Sequence, residues 1–403
     1  MRTVTINRKR ESHQENNLNL LNYSPMITST ELKERIKVKA TGLGFVLAGV
    51  TTPDPPPHYA TFEHWLAQGR HGTMDYLATA RSRARRRDPR EIMPECKSIL
   101  VLATPYSPPL PHPTSAQETH VNNAELFAEL GVQEGGQVAS YAWGADYHDI
   151  LPARMQELVQ FIEEQAECPV RNRWYTDTGP LLERDLAQRA GIGWIGKNTC
   201  LIHPKHGSYF LLSEILLDLE LEPDPPFVTD HCGTCTRCIE ACPTDCILPD
   251  RTIDAKRCIS YLTIELKDEI PMELRDKIGN WIFGCDICQM VCPWNRFAEE
   301  GDPAFGDQNP ARDLTEELSI SAQEFNRRFK GTPVKRAKRR GYLRNVVVAL
   351  GNGGDMHTLP VLQTARNDEE PLVREHAQWA IEKITSRGAE RAERRVQMKR
   401  ADA

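Results

Sequence analysis

The chain has 403 residues, with 50 Lys and Arg against 56 Asp and Glu, a formal net charge of −6 and 12 cysteines. That length predicts two or three domains with a real core, and the acidic balance excludes wholesale coating of nucleic acid while leaving room for a local basic patch. No apolar run approaches the ~20 residues of a membrane span, so the expectation is a cytoplasmic protein whose thiols stay reduced.

Residues 1–26 are polar and lack the hydrophobic stretch of a signal peptide. They are expected to form a disordered extension, and Met26 offers an alternative start. Thr28 and Glu31 form a capping box that opens a helix over Leu32 to Thr41. Phe45 to Val50 and Ile99 to Ala103 have the composition of strands. Between them lies a basic run, Arg81 to Arg90. Leu110 to Gly136 is first Pro-rich and then polar, a surface excursion. Val138 to Ala142 is a further strand, and Tyr147 to Ala166 an amphipathic helix with Ile150, Leu158, Phe161 and Ile162 on one face. A strand at Arg171 to Tyr175, a helix at Leu181 to Ala190 and a strand at Ser208 to Leu219 complete the region. Strands alternating with helices imply an α/β domain over residues 27–226. Gly191, Gly193 and Gly196 have G-x-G-x-x-G spacing, but the stretch follows a helix. A tight backbone turn is favoured over a phosphate loop.

Residues 227–297 carry the chemistry. Cys232, Cys235, Cys238 and Cys242 fall in the C-x2-C-x2-C-x3-C-P spacing of a ferredoxin half-module. Three thiolates spaced this way wrap one 4Fe–4S cluster, and the fourth points to a second. The second half follows as Cys285, Cys288 and Cys292, with Ile282 where its first cysteine would stand and Cys258 the nearest spare thiol. One cluster is assigned to Cys232, Cys235, Cys238 and Cys292, the other to Cys242, Cys258, Cys285 and Cys288. Zinc would use two C-x-x-C pairs, and disulfides do not suit a reducing compartment. Cys96, Cys168, Cys200 and Cys246 are expected to be small buried hydrophobes.

Residues 298–326 read as an acidic, irregular linker. Arg327 to Arg344 then holds nine Lys or Arg and no acid. Lys335, Arg336, Lys338, Arg339 and Arg340 are its densest part, suited either to phosphate binding by counterion release or to a solubilising linker. Phe329 or Tyr342 could stack on a base. Leu343 to Asn352 and Val373 to Lys383 share an Arg followed by an apolar stripe, at a spacing of about thirty residues, the mark of a HEAT-like α-helical repeat. Residues 387–403 are a charged tail expected to fray.

Ser140 to Leu151, Asp177 to Thr199, Gly207 to Ile215, the cysteine pattern with Arg257 to Thr263, and the C-terminal helices resemble the epoxyqueuosine reductase family, over about Met26 to Ile384. The resemblance implies a cobalamin and iron–sulfur oxidoreductase that converts epoxyqueuosine to queuosine at the wobble position of tRNA. It implies an external electron donor, a monomer, and residues 27–226 as the cobalamin-binding domain. Residues 327–386 would then grip tRNA, with base-off cobalamin in the first domain.

By the same resemblance Asp146 is the proton donor, with its pKa raised by shielding from water. Its place just ahead of a helix equally suits an N-cap. His148 and Asp149 are left as supporting or surface groups. Positions matching the family's cobalamin contacts are Arg86, Ala139, Asp146, Thr178, Ile202, Ser213, Ser260 and Asp286, several through backbone groups. Arg86 could equally be a solvated charge. Two rivals remain: a reductive dehalogenase acting on a small molecule, which predicts an export signal and no basic tail, and a non-enzymatic iron–sulfur electron carrier, which leaves the large first domain unexplained.

Overall fold

The computed structural model describes residues 27–106, 135–298, 300–306 and 312–401. The expected extension at 1–26 and most of the excursion after Leu110 lie outside them. Helix α1 (Ser29–Gly42) opens as the capping box requires, with the Thr28 hydroxyl accepting from Glu31 N–H at 3.1 Å. Leu32, Ile36 and Ala40 fall one turn apart and form its buried face. Strand β1 (Leu47–Thr51), helices α2 (Tyr59–Ala67) and α3 (Ala80–Arg87) and strand β2 (Ser98–Pro105) follow. Then come β3 (Gln137–Val138), α4 (Tyr147–Ala166), β4 (Asn172–Tyr175), α5 (Glu183–Arg189), β5 (Trp194–Ile195), β6 (Leu201–Ile202) and β7 (Phe210–Leu217).

The main sheet has the order β1-β2-β7-β4, and every pair in it is antiparallel. The α/β expectation is corrected on this point. Alternation along the chain reports on neighbours in sequence, whereas β2 pairs with β7 from roughly a hundred residues later. The sheet is covered on both faces, which is why β2 is an unbroken apolar run. Leu100 and Leu102 pack with Ile36, Leu151 and Leu158 of α1 and α4. Ile99 and Val101 pack on the other side with Leu186 and Ala187 of α5.

The cysteine-rich region contains α6 (Arg237–Glu240), α7 (Ile259–Ile264), α8 (Met272–Arg275), β8 (Trp281–Phe283) and α9 (Ile287–Met290). Strand β8 pairs in parallel with β3 of the preceding region, with a register shift between Gln137 and Val138. The C-terminal part is helical: α10 (Leu314–Leu318), α11 (Ala322–Arg328), α12 (Lys338–Gly353), α13 (Leu359–Ala365) and α14 (Pro371–Ala401). Val346, Val347 and Leu350 of α12 close on Val373, Ala377 and Ala380 of α14. Gly351 sits where the two come nearest, since a Cβ there would stand 2.5 Å from the Trp379 ring.

Three expectations change here. The supposed irregular linker carries α10 and part of α11, and the tail expected to fray continues as helix to Ala401. Phe329 and Tyr342 do not offer stacking faces. They are 1% and 0% exposed, with ring centroids 5.0 Å apart in the core. The Tyr342 hydroxyl donates to Glu317 at 2.6 Å, which satisfies its polar end inside the fold.

Candidate functional site: two cysteine sets beside a large cavity

The structure brings the eight expected ligands to adjoining parts of the core without separating them four and four. Cys232 and Cys292 lie under Trp194, Phe227 and Trp294. Burial pushes the Cys292 thiol up to about 12, and negative charge on Cys232 and Cys238 adds to it. Burial likewise pushes Cys238 up to about 11, with Cys232 and Cys235 reinforcing the shift. Elsewhere Cys242, Cys258 and Cys288 pack around Ile247 together with Cys238, which the sequence assigned to the first cluster. Burial raises the Cys285 thiol, and the charges of Cys258 and Cys242 add to the effect. Thiols that repel each other's charge so strongly when buried suit a cation-rich cluster that takes up the negative charge.

Lys197, which closes the glycine-rich stretch, donates to the carbonyls of Gly233 at 2.8 Å and Cys235 at 2.9 Å. It braces the loop that holds the first three cysteines. The glycines make the tight turn that the sequence favoured: Gly191 has φ +76°, and a Cβ on Gly193 would lie 2.2 Å from the Ile202 carbonyl oxygen. That turn also delivers Trp194, whose Nε1–H donates to Cys232 Sγ at 3.5 Å.

Two further thiols stand beside the second set, although their spacing gives no sign of it. Cys246 Sγ is 3.4 Å from Cys242 Sγ, and Cys200 lines the same cavity as Cys258. Cys246 is a small buried side chain as expected, and Cys200 is only partly buried. The expectation also holds for Cys96, which is buried with its thiol on the Ser98 carbonyl, and for Cys168, which packs against the sheet's helical layer.

A cavity of about 1160 Å³ opens against the second set. It exceeds the ~300–1,000 Å³ of ordinary small-molecule pockets. Arg81, Arg85 and Arg86 of α3 line one side, Cys258, Ser260 and Tyr261 another, and Tyr141, Tyr147, Asp177 and Arg336 a third. Of the eight positions expected to contact cobalamin, Arg86, Thr178 and Ser260 lie on the wall. Asp146, Ile202 and Ser213 are each one residue behind a lining neighbour, namely Tyr147, Leu201 and Leu212. Ala139 and Asp286 are buried behind Tyr141. The Asp286 carboxylate accepts from the Ser140 N–H at 2.6 Å and hydroxyl at 2.8 Å, and burial lifts it to about 6.

Arg86 is not a solvated charge. It is 9% exposed, donates to the Gly179 carbonyl at 3.4 Å and lies over the Phe62 ring at 5.7 Å. Among the described residues no carboxylate pairs with it. Glu183, also on the wall, has a buried Oε1 without a hydrogen-bond partner, and burial pushes its carboxyl up to about 8. A buried cation and an unpaired acceptor in a cavity this large fit a bulky ligand carrying a phosphate and amide groups, as cobalamin does.

Asp146 is the N-cap of α4, accepting from His148 N–H at 3.0 Å, and its Oδ1 lies 2.8 Å from His148 Nδ1. Burial raises its pKa, but the His148 side-chain and backbone hydrogen bonds outweigh that, and the net direction is down. The expected upward shift is therefore corrected for this arrangement. His148 in turn stands 3.8 Å from Asp177, which also accepts from Tyr147 at 2.9 Å and Arg336 at 3.2 Å. Arg336 is thus engaged at the cavity. Arg339 is likewise engaged, with Asp368 at 2.7 Å and the Ile320 carbonyl at 3.0 Å. Lys335, Lys338 and Arg340 remain exposed.

Residues 86–178 match the family described as epoxyqueuosine reductase QueG, DUF1730, and residues 231–295 match a 4Fe–4S double cluster binding domain. An epoxyqueuosine reductase of Xanthomonas campestris pv. campestris is 40% identical over 356 residues, spanning 87% of this chain and 96% of that relative. The chain belongs to the epoxyqueuosine reductase family. Among solved structures, an epoxyqueuosine reductase with an epoxyqueuosine-modified tRNA-Tyr stem loop superposes with a TM-score of 0.76 at 32% identity, over 88% of this chain and 90% of that one. The Bacillus subtilis epoxyqueuosine reductase, with its catalytic aspartate loop swung out of the active site, gives 0.72 at 32% identity over the same shares. Membership of the epoxyqueuosine reductase family makes the chain an oxidoreductase with a double-cluster domain. Among the described residues no helix is long and apolar enough to cross a membrane.

Proposed function

We propose that the chain reduces epoxyqueuosine to queuosine at the wobble position of a tRNA in the cytoplasm. Cys232, Cys235, Cys238 and Cys292 would hold one 4Fe–4S cluster and Cys242, Cys258, Cys285 and Cys288 a second, which would supply one-electron transfer from an external donor towards a cobalamin seated in the cavity. The observation that carries this reading is the shared wall: Cys258 lines the same cavity as Arg86, Thr178 and Ser260. Cobalamin, when bound, supplies the low-potential reducing centre that side chains lack.

Arg86 and Glu183 meet the charged and amide groups of that ligand, and the Thr178 and Ser260 hydroxyls complete its seat. Removing an epoxide oxygen as water consumes two electrons and two protons, so an acid has to face the substrate oxygen. In its bond with His148, Asp146 is an anion outside the cavity wall. The related Bacillus subtilis enzyme has a catalytic aspartate loop that leaves the active site, and this arrangement supports the same state here. Burial is the largest influence on Asp146, so release from His148 into the closed site lifts its pKa and makes it a proton donor. The C-terminal helices, read as a HEAT-like repeat, present Lys335, Lys338 and Arg340 to tRNA phosphates. The tRNA-bound relative supports that substrate.

The test is anaerobic reconstitution with iron, sulfide and cobalamin, followed by nucleoside mass spectrometry of epoxyqueuosine tRNA under a low-potential reductant. Asp146→Asn is expected to keep clusters and corrinoid while turnover falls about 100-fold or more. Unchanged turnover removes Asp146 from the reaction. Full iron and sulfide with no corrinoid uptake overturns the proposal as a whole.

A further inference from the structure

Aromatic rings run side by side from Cys232 and Cys292 to the surface. Between ring centroids, Trp294 stands 5.2 Å from Trp194, His231 5.4 Å from Trp294, Phe227 5.9 Å from His231 and Phe297 6.1 Å from Trp294. Trp194, Phe227 and Trp294 form the inner side, packed on the two cysteines. On the outer side His231 is exposed, Phe297 is 40% exposed, and Val228, next to Phe227, is 83% exposed. Cys232, Cys235 and Cys238 are themselves only partly buried. None of these residues lines the cavity.

Cations stand around this apolar patch. Arg296 lies over the Phe297 ring at 4.5 Å. Lys205 is exposed on the turn closed by the His203–Gly207 bridge, and a Cβ on Gly207 would stand 3.3 Å from Ala298, so the turn rests against the end of the same stretch. Arg237 is exposed between Cys235 and Cys238. Among the described residues no carboxylate pairs with these three. Of the acids in the same segments, Asp230 is taken by Arg251, Glu240 accepts from Thr236 at 2.6 Å, and Glu300 is exposed, which leaves the cations in excess. An exposed apolar centre with a charged rim is the anatomy of a protein contact surface. It does not suit a nucleic acid, whose bases need open ring faces: Arg296 covers Phe297, and Trp294 meets Trp194 at 81°.

Resting on the cluster assignment proposed above, we propose that the face made by Val228, His231, Trp294 and Phe297, with Lys205, Arg237 and Arg296 at its rim, is where the external donor docks, and that this donor is a small acidic protein carrying one electron at a time. Opposite charge speeds the encounter in a salt-dependent way, and the apolar centre excludes water from the contact. Each encounter oxidises the carrier by one electron and reduces the iron held by the nearby cysteines by one. Two encounters match the two electrons that the epoxide consumes, and no proton crosses this face.

The experiment uses the full chain, anaerobically loaded, with iron and sulfide assayed. Its reduction is followed by stopped-flow absorbance with a reduced acidic ferredoxin, a reduced acidic flavodoxin and dithionite in turn. Lys205→Glu combined with Arg296→Glu is expected to slow reduction by the protein carriers about tenfold at low salt, and to remove most of the salt dependence. Val228→Asp should slow it without changing the salt dependence. Both variants should keep wild-type iron, wild-type reduction by dithionite and wild-type tRNA affinity. Unchanged carrier rates in both variants overturn the docking face and leave the cluster assignment standing. A parallel loss of tRNA affinity overturns it by giving the face to RNA, and a change of oligomeric state in sedimentation overturns it by giving the face to a second copy. A wild-type chain that holds no iron and sulfide overturns the cluster assignment itself, before any carrier is added.

Discussion

The two basic runs look alike in the sequence and are used differently. Arg81 to Arg90 sends Arg81, Arg85 and Arg86 to the cavity wall. Arg327 to Arg344, the denser of the two, stays mostly exposed but gives several of its cations to partners within the fold. Arg328 pairs with Glu317 at 2.6 Å and Arg339 with Asp368, while Arg344 is fully buried on the carbonyls of Leu262, Leu266 and Asp268. A count of cations overstates the charge available to a partner whenever the run also packs. What decides it is whether a carboxylate or a row of free carbonyls lies within reach.

The sharpest break of that comparison is Arg344→Met. Three carbonyls, that of Leu262 fully buried, would lose their donor, at an expected cost of about 3 kcal/mol, seen as a lower unfolding midpoint in anaerobic denaturation. The salt dependence of tRNA binding should not move. If the midpoint stays put, Arg344 is not structural.

Next comes pH. His376 on α14 is fully buried, accepts the Ile270 N–H at Nε2 (3.2 Å), and is held at about 3 by burial and then by the neighbouring Arg275, with Arg344 adding. Its unfolded value is near 6.5. The unfolded chain therefore takes up the proton first, so stability is whole above pH 6.5 and falls as pH drops toward 3. The loss at pH 5 should be about 2 kcal/mol. A His376→Gln variant with an unchanged slope would place that pH dependence elsewhere.

The first run is probed by Arg86→Gln, which should weaken corrinoid retention by roughly tenfold, the worth of one charged hydrogen bond. It should leave the tRNA salt slope as it was. The smallest effect belongs to the exposed remainder of the second run. Reversing Lys335, Lys338 and Arg340 to Glu should reduce the slope of log affinity against log salt by about one for each phosphate left unneutralised, with corrinoid uptake unaffected. An altered corrinoid affinity in that variant would dissolve the division of labour.

Features encoded over short spans were legible in the sequence. The cysteine spacing pointed to the double-cluster domain that residues 231–295 match, because a loop of two or three residues fixes where each sulfur can point. The Thr28 cap and the twenty residues of α4 were equally local. Long-range partners were not. The antiparallel order of the sheet and the Arg336–Asp177 pair, 159 residues apart, depend on which surfaces meet after collapse. Cys246 and Cys200 have no spacing signature, so only the fold shows that one touches Cys242 and the other reaches the cavity. Phe329 and Tyr342 were misread because an aromatic next to Lys and Arg looks the same in a core as on an RNA-binding face.

The joint between the first region and the cysteine-rich one is stitched from several sides. Strand β3 pairs with β8, Trp65 donates to the Ile253 carbonyl at 2.6 Å, the Thr73 N–H donates to the Tyr261 hydroxyl at 2.8 Å, and Ser208 N–H donates to Asn295 Oδ1 at 2.6 Å. Among the described residues, the span between the inner cysteines and the cavity is therefore set when the chain folds. Electron passage over that span should be indifferent to solvent viscosity, leaving docking and loop movement as the steps that a thickened medium slows.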